Sequence, residues 1–298
     1  MICVMTVSAE HAVLVGVDGS PSSDAAVAWA ARTAALRETR LVLVHVTPAP
    51  KEALGVSLIR PPEVWRSLEK TAQRVLTESC AVAERSVDAA LQIETAELSD
   101  DVVPALVALS ADAELLVVGC RGLGRIPRRL LGSVSAGLAH HARCPVVIVH
   151  DEKRGAPEDV AKLPVVAGVD GSAASQAAAA VAFDEAARRD VELIVLHSWS
   201  ENIGIELPGK EWEVMHPKAV AALDEWLSDL QQQYPQVPVR KVVVPDGAAR
   251  RLVKHSQDAQ LVVVGSRGRG GFTGMLLGSV SAAVVEAAHT PVIVVRAP

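Results

Sequence analysis

The 298 residues leave room for two domains of ordinary size, and half of them are hydrophobic although only 3% are aromatic. A formal net charge of −6 argues against a general nucleic-acid binder, which needs a basic face, and the four cysteines (Cys3, Cys80, Cys120, Cys144) show neither metal-ligand spacing nor a disulfide framework. No apolar run approaches the roughly 20 residues that span a membrane, and Met1 to Glu10 lacks a signal-peptide pattern, so a soluble cytoplasmic protein is expected.

In chain order, short Val-rich runs alternate with Ala-rich helical stretches. Strands are expected near 12–17, 41–46, 91–97, 114–119 and 145–150, with helices between them. The first helix opens at Ser20-Pro21, a cap followed by a proline in the first turn. The second presents Val64, Leu68, Ala72, Val75 and Leu76 at helical spacing. The charged segment from Asp151 to Lys162, with Gly155 and Pro157, reads as a linker.

The pattern then starts again. Val13 to Ser20 returns as Val165 to Ser172, an offset of 152 residues from Asp18 to Asp170. Gly119-Cys120-Arg121-Gly122, nine residues, then Gly132-Ser133 returns as Gly265-Ser266-Arg267-Gly268, nine residues, then Gly278-Ser279, an offset of 146. The change of offset falls between the second and fourth strands. In the second copy Trp212, Ala219, Val220, Leu223, Trp226, Leu227 and Leu230 form the long helix's apolar face. The expectation is α/β: two tandem Rossmann-like domains, 1–150 and 164–298 joined by a linker at 151–163, each a five-stranded parallel sheet with helices on both faces. Doubly wound sheets bind ligands beyond the carboxyl ends of their strands, where the strand order reverses, so Asp18 and the glycine loop converge on one crevice.

A strand that runs into glycines and then into a Gly-Ser helix start presents backbone N–H groups to phosphate. Gly122 and Gly268 are expected to supply positive φ and close approach to a ligand; turn-making alone is the blander alternative. Asp18 and Asp170 could accept a ribose hydroxyl or help hold Mg²⁺ beside phosphates, against a role in capping the local turn, which Ser20 and Ser172 can fill. Arginines are unequal between the copies: Arg121, Arg125, Arg128 and Arg129 in the first, Arg267 and Arg269 in the second. Their planar forks suit phosphate, although a solvated loop is the alternative. Cys120 lies where backbone dipoles could lower a thiol pKa, but Ser266 replaces it in the second copy. His45 and His197 end the second strand of each copy, as structural residues or as lining of a base pocket. There is no P-loop, no dinucleotide fingerprint, no Gly-x-Ser-x-Gly elbow and no HExxH, and nothing identifies a general base or nucleophile.

The Gly-Val-Asp-Gly-Ser start of each repeat, the doubled Gly-x2-Gly-x9-Gly-Ser and the Pro-Val-Val-Ile-Val or Pro-Val-Ile-Val-Val final strand resemble the universal stress protein family in its tandem form. The Gly-Ser-Val-Ser runs at 132–135 and 278–281 are similar to mycobacterial members. The resemblance implies an adenine nucleotide alpha hydrolase-like fold and the ATP-binding branch of the family. It places Gly16, Asp18, Gly119, Cys120, Arg121, Gly122, Gly124, Arg125, Arg129, Gly132, Ser133 and Val134 at one ATP site. Gly168, Asp170, Gly265, Ser266, Arg267, Gly268, Arg269, Gly270, Gly278, Ser279 and Val280 form the other. It also implies an internal pseudo-dimer, a homodimer of chains, Mg²⁺ that could accompany ATP near Asp18 and Asp170, and a regulatory protein partner of unknown identity. Function is then expected to be regulation of stress response or growth through nucleotide occupancy, with a slow ATP hydrolase or nucleotide-dependent transferase as the alternative.

Overall fold

The computed structural model describes residues 8–49, 52–53, 56–57, 61–122, 131–150, 160–198, 209–245, 247–269 and 277–297. The chain divides into two compact units, 1–151 and 152–298. The N-terminal unit runs β1 (Ala12–Gly16), α1 (Pro21–Leu36), β2 (Arg40–Thr47), α2 (Pro62–Arg85), β3 (Ile93–Ser99), α3 (Val102–Leu109), β4 (Leu115–Gly119), α4 (Ser133–His141) and β5 (Val146–Val149). The C-terminal unit repeats the order with β6 (Val165–Val169), α5 (Ala173–Arg189), β7 (Leu193–Ser198), α6 (Gly209–Gln233), β8 (Val239–Val244), α7 (Ala248–His255), β9 (Leu261–Gly265), α8 (Ser279–Ala287) and β10 (Val292–Val295). Outside the sheets, 52–53 and 56–57 form a minimal antiparallel ladder.

Within the N-terminal unit the strands lie β5-β4-β1-β2-β3, and within the C-terminal unit β8-β7-β6-β9-β10, all parallel. The order reverses between β1 and β4, and between β6 and β9. Fully buried strands explain the unbroken Val and Leu runs: Leu115 to Val118 are each at most 4% exposed. Alternation returns only in β3, which lies at the sheet's edge in its unit.

The helices follow from their caps and small residues. Ser20 accepts a hydrogen bond from the Ser23 amide with Pro21 in the first turn, and Ser172 accepts from Ser175 in the same way. Alanines at 26, 30, 31 and 34 let α1 lie close against the sheet, and Ala178, Ala179, Ala182 and Ala186 do the same for α5. The apolar face expected on α2 is narrower than its sequence suggests. Ala72, Val75 and Leu76 are buried, whereas Val64 is 41% exposed and Leu68 only half-buried. On α6 the buried members are Ala219, Leu223 and Leu227.

Strand register also locates the length difference between the copies. His45 pairs with Glu97 and His197 with Val243, so the third strands already stand 146 residues apart. The shortening therefore falls between the second and third strands, on the α2 side of the fold.

Candidate functional site

β1 ends at Gly16, and the chain then turns into α1 through Asp18-Gly19-Ser20. Val17 keeps one ladder contact, its N–H donating to Val44 O at 2.9 Å, while its carbonyl accepts from His45 Nδ1 at 2.8 Å. The turn needs φ of +77° at Gly19 and +80° at Gly171, conformations that favour glycine. Asp18 Oδ1 accepts from the Ser20 amide at 3.0 Å, and Asp170 Oδ1 from the Ser172 amide at 2.9 Å. The local-turn role is thus real: in each unit the turn amide engages Oδ1 of the aspartate.

The other oxygen faces the glycine loop. A Cβ on Gly122 would overlap Asp18 Oδ2, so the loop backbone passes directly over that carboxylate. In the C-terminal unit the Arg269 amide donates to Asp170 Oδ2 at 2.8 Å. Burial tends to push the Asp170 carboxyl up, but hydrogen bonds from the Ser172 hydroxyl and amide, the Arg269 amide and the Ser175 hydroxyl outweigh it and hold the group below its ordinary value. Gly122 and Gly268 do not adopt the positive φ expected of them. Contact with a residue from the first turn of the fold, rather than local backbone geometry, explains the glycine at 122.

Gly119 has a different reason. A Cβ there would lie 2.6–2.8 Å from Ser22 Oγ, C and O, in the first turn of α1, and one on Gly265 would lie 2.9 Å from Ala174 C. These glycines let a helix start cross the end of a strand. The Ser22 hydroxyl donates to Arg121 O, tying α1 to the loop; the C-terminal unit makes the equivalent tie from Ser172 to Arg267 O at 3.4 Å.

The loop returns at Gly132, whose amide donates to Cys120 O at 2.9 Å. Ser135 Oγ donates to Cys120 O and Gly132 O, both at 3.1 Å, and Ser281 repeats this with Ser266 O and Gly278 O at 2.9 and 3.0 Å. No side chain caps α4 or α8, so each nine-residue helix opens with bare amides at Ser133-Val134 and Ser279-Val280. An uncapped start of this kind attracts an anion by about 0.3–1 kcal/mol when exposed.

Between the Asp18 turn and the α4 start lies a cavity of about 300 Å³. Gly16, Asp18, Gly119, Arg121, Gly122, Gly132, Ser133 and Val134 are among the residues that line it. Cys120 does not: it is 4% exposed and absent from the cavity wall, so the thiol expected at the ligand belongs to the core. Gly124, Arg125, Arg129 and Gly270 lie outside the described residues. In the C-terminal unit Asp170, Arg267, Gly268, Arg269, Gly278, Ser279 and Val280 occupy matching places around the turn and helix start; Ser266 is 8% exposed, like Cys120 a core residue, and Gly168 packs on Leu252. A Cβ on Gly171 would strike the Arg269 guanidinium, so that side chain lies over the Asp170 turn. Its N-terminal counterpart is Leu123, outside the described residues.

The sequence reading missed the apolar wall. Val44 and Val46 from the end of β2, and Val102 and Leu106 one turn apart on α3, complete the cavity. The strand-end rule pointed to β2, and the i, i+4 spacing on α3 was visible. Among the described residues no group of three or more His, Cys, Asp or Glu could hold a metal. No described helix is long and apolar enough to cross a membrane.

A sequence model described as the universal stress protein family matches residues 11–150 and again 163–296. A universal stress protein of Mycobacterium tuberculosis (strain H37Rv) is 47% identical over 289 residues, covering 95% of this chain and 96% of the relative. One from Mycolicibacterium smegmatis is 42% identical over 294 residues, covering 96% and 97%. The crystal structure of a universal stress protein from Archaeoglobus fulgidus aligns over 97% of this chain and 98% of its own at 21% identity, with a TM-score of 0.67, a likeness of fold. The chain belongs to the universal stress protein family and carries two copies of its domain in tandem.

Proposed function

We propose that the chain is a nucleotide-responsive regulator that binds ATP, one molecule per unit, and signals through occupancy. The observation that carries the reading is the cavity at the strand-order reversal, with the Asp18 carboxylate on one side, the uncapped start of α4 on another and an apolar wall of Val44, Val46, Val102 and Leu106 completing it. A nucleoside phosphate needs those three surfaces: an acceptor for sugar hydroxyls, amides for phosphate and a slot for a flat base.

The residues fit such a ligand. The loop passes so close to Asp18 that any Cβ at 122 would displace the carboxylate, and glycine leaves the loop backbone open toward the cavity. Mg²⁺ in this reading arrives with the phosphates, since the described residues offer Asp18 or Asp170 but no metal cluster. The proposal extends to a homodimer of chains and to a regulatory protein partner.

The experiment is to denature the purified protein and analyse the released small molecules by chromatography and mass spectrometry, followed by titration of stripped protein with ATP, AMP and GTP. Adenine nucleotide in the wild-type supernatant, absent after Asp18→Asn with Asp170→Asn, supports the reading. A clean wild-type supernatant together with no heat of ATP binding overturns it.

A further inference from the structure

His45 lines the cavity beside Val44 and Val46, and its polar contact repeats at His197 in the other unit. His45 Nδ1 lies 2.8 Å from Val17 O, and His197 Nδ1 lies 2.8 Å from Val169 O. Each carbonyl belongs to the residue immediately before the site aspartate. A carbonyl oxygen only accepts, so Nδ1 carries the proton in both rings. That proton is present in the neutral Nδ1–H tautomer and in the charged ring alike, and the contact survives either state.

Pairing with a carboxylate does not account for these histidines. In the parallel register His45 stands opposite Glu97, but His197 stands opposite Val243. The across-strand neighbour changes from acid to hydrocarbon, while the bond to the carbonyl keeps its partner and its length. What the two histidines share is that carbonyl, at the point where β1 or β6 leaves the sheet and turns into Asp-Gly-Ser.

We infer that His45 and His197 are positioning residues for the site aspartates: each side chain fixes the peptide preceding Asp18 or Asp170 and thereby aims the carboxylate at the glycine loop. The inference deepens the proposed nucleotide site and rests on it for its functional consequence. Its structural content stands alone. The ring fastens the last carbonyl of the strand to the neighbouring strand, and the aspartate begins one peptide later. Its carboxylate must then meet donors on both sides, which in the C-terminal unit include the Ser172 amide at 2.9 Å from the turn and the Arg269 amide at 2.8 Å from the loop. Release of the carbonyl lets the turn pivot, and the second bond, made across the loop, is lost first.

Three substitutions that are all uncharged separate this role from others. Asparagine places its amide nitrogen where Nδ1 lies; glutamine reaches instead toward the position of Nε2; alanine offers neither. In ligand-free protein, ¹³C NMR of the Asp170 carboxyl follows its titration in His197→Asn, His197→Gln and His197→Ala. The expected result is a low midpoint retained in His197→Asn and raised in the other two. In parallel, calorimetric titration of ATP into His45/His197 double variants should leave the asparagine protein within about twofold of wild type and weaken the alanine and glutamine proteins roughly tenfold, the scale of one hydrogen bond. Equal Asp170 midpoints in all three variants overturn the inference, as do equal ATP affinities. Should wild-type protein bind no ATP, the functional proposal fails, while the carboxyl titration still decides the positioning role.

Discussion

Gly119 and Gly122 stand three residues apart in one motif, and the structure predicts that the same substitution has opposite consequences at the two. At Gly119 an added Cβ meets Ser22 C and O at 2.8 Å. Those are backbone atoms of the first turn of α1, which is buried at Ser22 and Ser23 and cannot yield without moving the helix. Overpacking of this kind costs about 1–3 kcal/mol. For a domain of this size that lowers Tm by roughly 2–12 °C. At Gly122 the near neighbours of the new Cβ among the described residues are Asp18 Oδ2 and Cγ, the far end of a side chain. The carboxylate can rotate away, so Gly122→Ala should change stability by less than about 0.5 kcal/mol, as a surface substitution does. It should nonetheless weaken ATP by roughly tenfold or more, since the displaced carboxylate gives up charge-assisted hydrogen bonds of about 1.5–3 kcal/mol. Differential scanning calorimetry and isothermal titration on the two single variants read both quantities, ideally with the C-terminal site silenced by Asp170→Asn. A Gly119→Ala protein that melts with wild type refutes the packing argument. A Gly122→Ala protein that binds ATP as wild type does refutes the placement of Asp18 against the loop.

Other consequences follow from the caps, the thiols and the carboxylates. Ser20→Ala and Ser172→Ala each remove an observed helix cap and should cost about 1 kcal/mol, visible as a lower urea midpoint. Asp170 titrates lower folded than unfolded, so its stabilisation is present above the unfolded pKa and lost as pH falls through the folded value; Asp170→Asn should flatten the acid limb of stability against pH, and an unchanged limb would contradict the bonding described. Burial pushes the Cys144 thiol up to about 12, so site-resolved mass spectrometry after alkylation at pH 8 should find Cys144 unmodified in native protein and modified after unfolding.

Much of the fold was legible because its signals are local. Valine runs bounded by glycine marked central strands, Ser20-Pro21 marked a helix start, and the repeat at offsets of 152 and 146 gave two domains. Asp18 and the Gly119 to Ser133 segment were placed in one crevice by topology alone. What escaped the sequence depends on partners far along the chain. Gly122 looked like a residue chosen for positive φ; its constraint is a carboxylate 104 positions earlier. Cys120 read as a loop residue among backbone dipoles, but its amide still donates to Val149 O at 2.8 Å, which carries the strand pairing one residue further, and the side chain is buried. His45 could not be assigned from its neighbours because its partner is a backbone carbonyl selected by strand register. The helix α3 showed an apolar i, i+4 pair, yet nothing local said that Val102 and Leu106 face a cavity rather than the core.

The central claim is that the Asp turn and the uncapped helix start form a nucleotide site in each unit. The most direct measurement is isothermal titration of ATP into protein stripped of ligand, comparing wild type with Asp18→Asn, Asp170→Asn and the double substitution. The account predicts two ATP per wild-type chain, one in each single variant and at least tenfold weaker binding in the double variant, on the scale of one charged hydrogen bond lost per site. Wild-type stoichiometry and affinity retained in the folded double variant would contradict it.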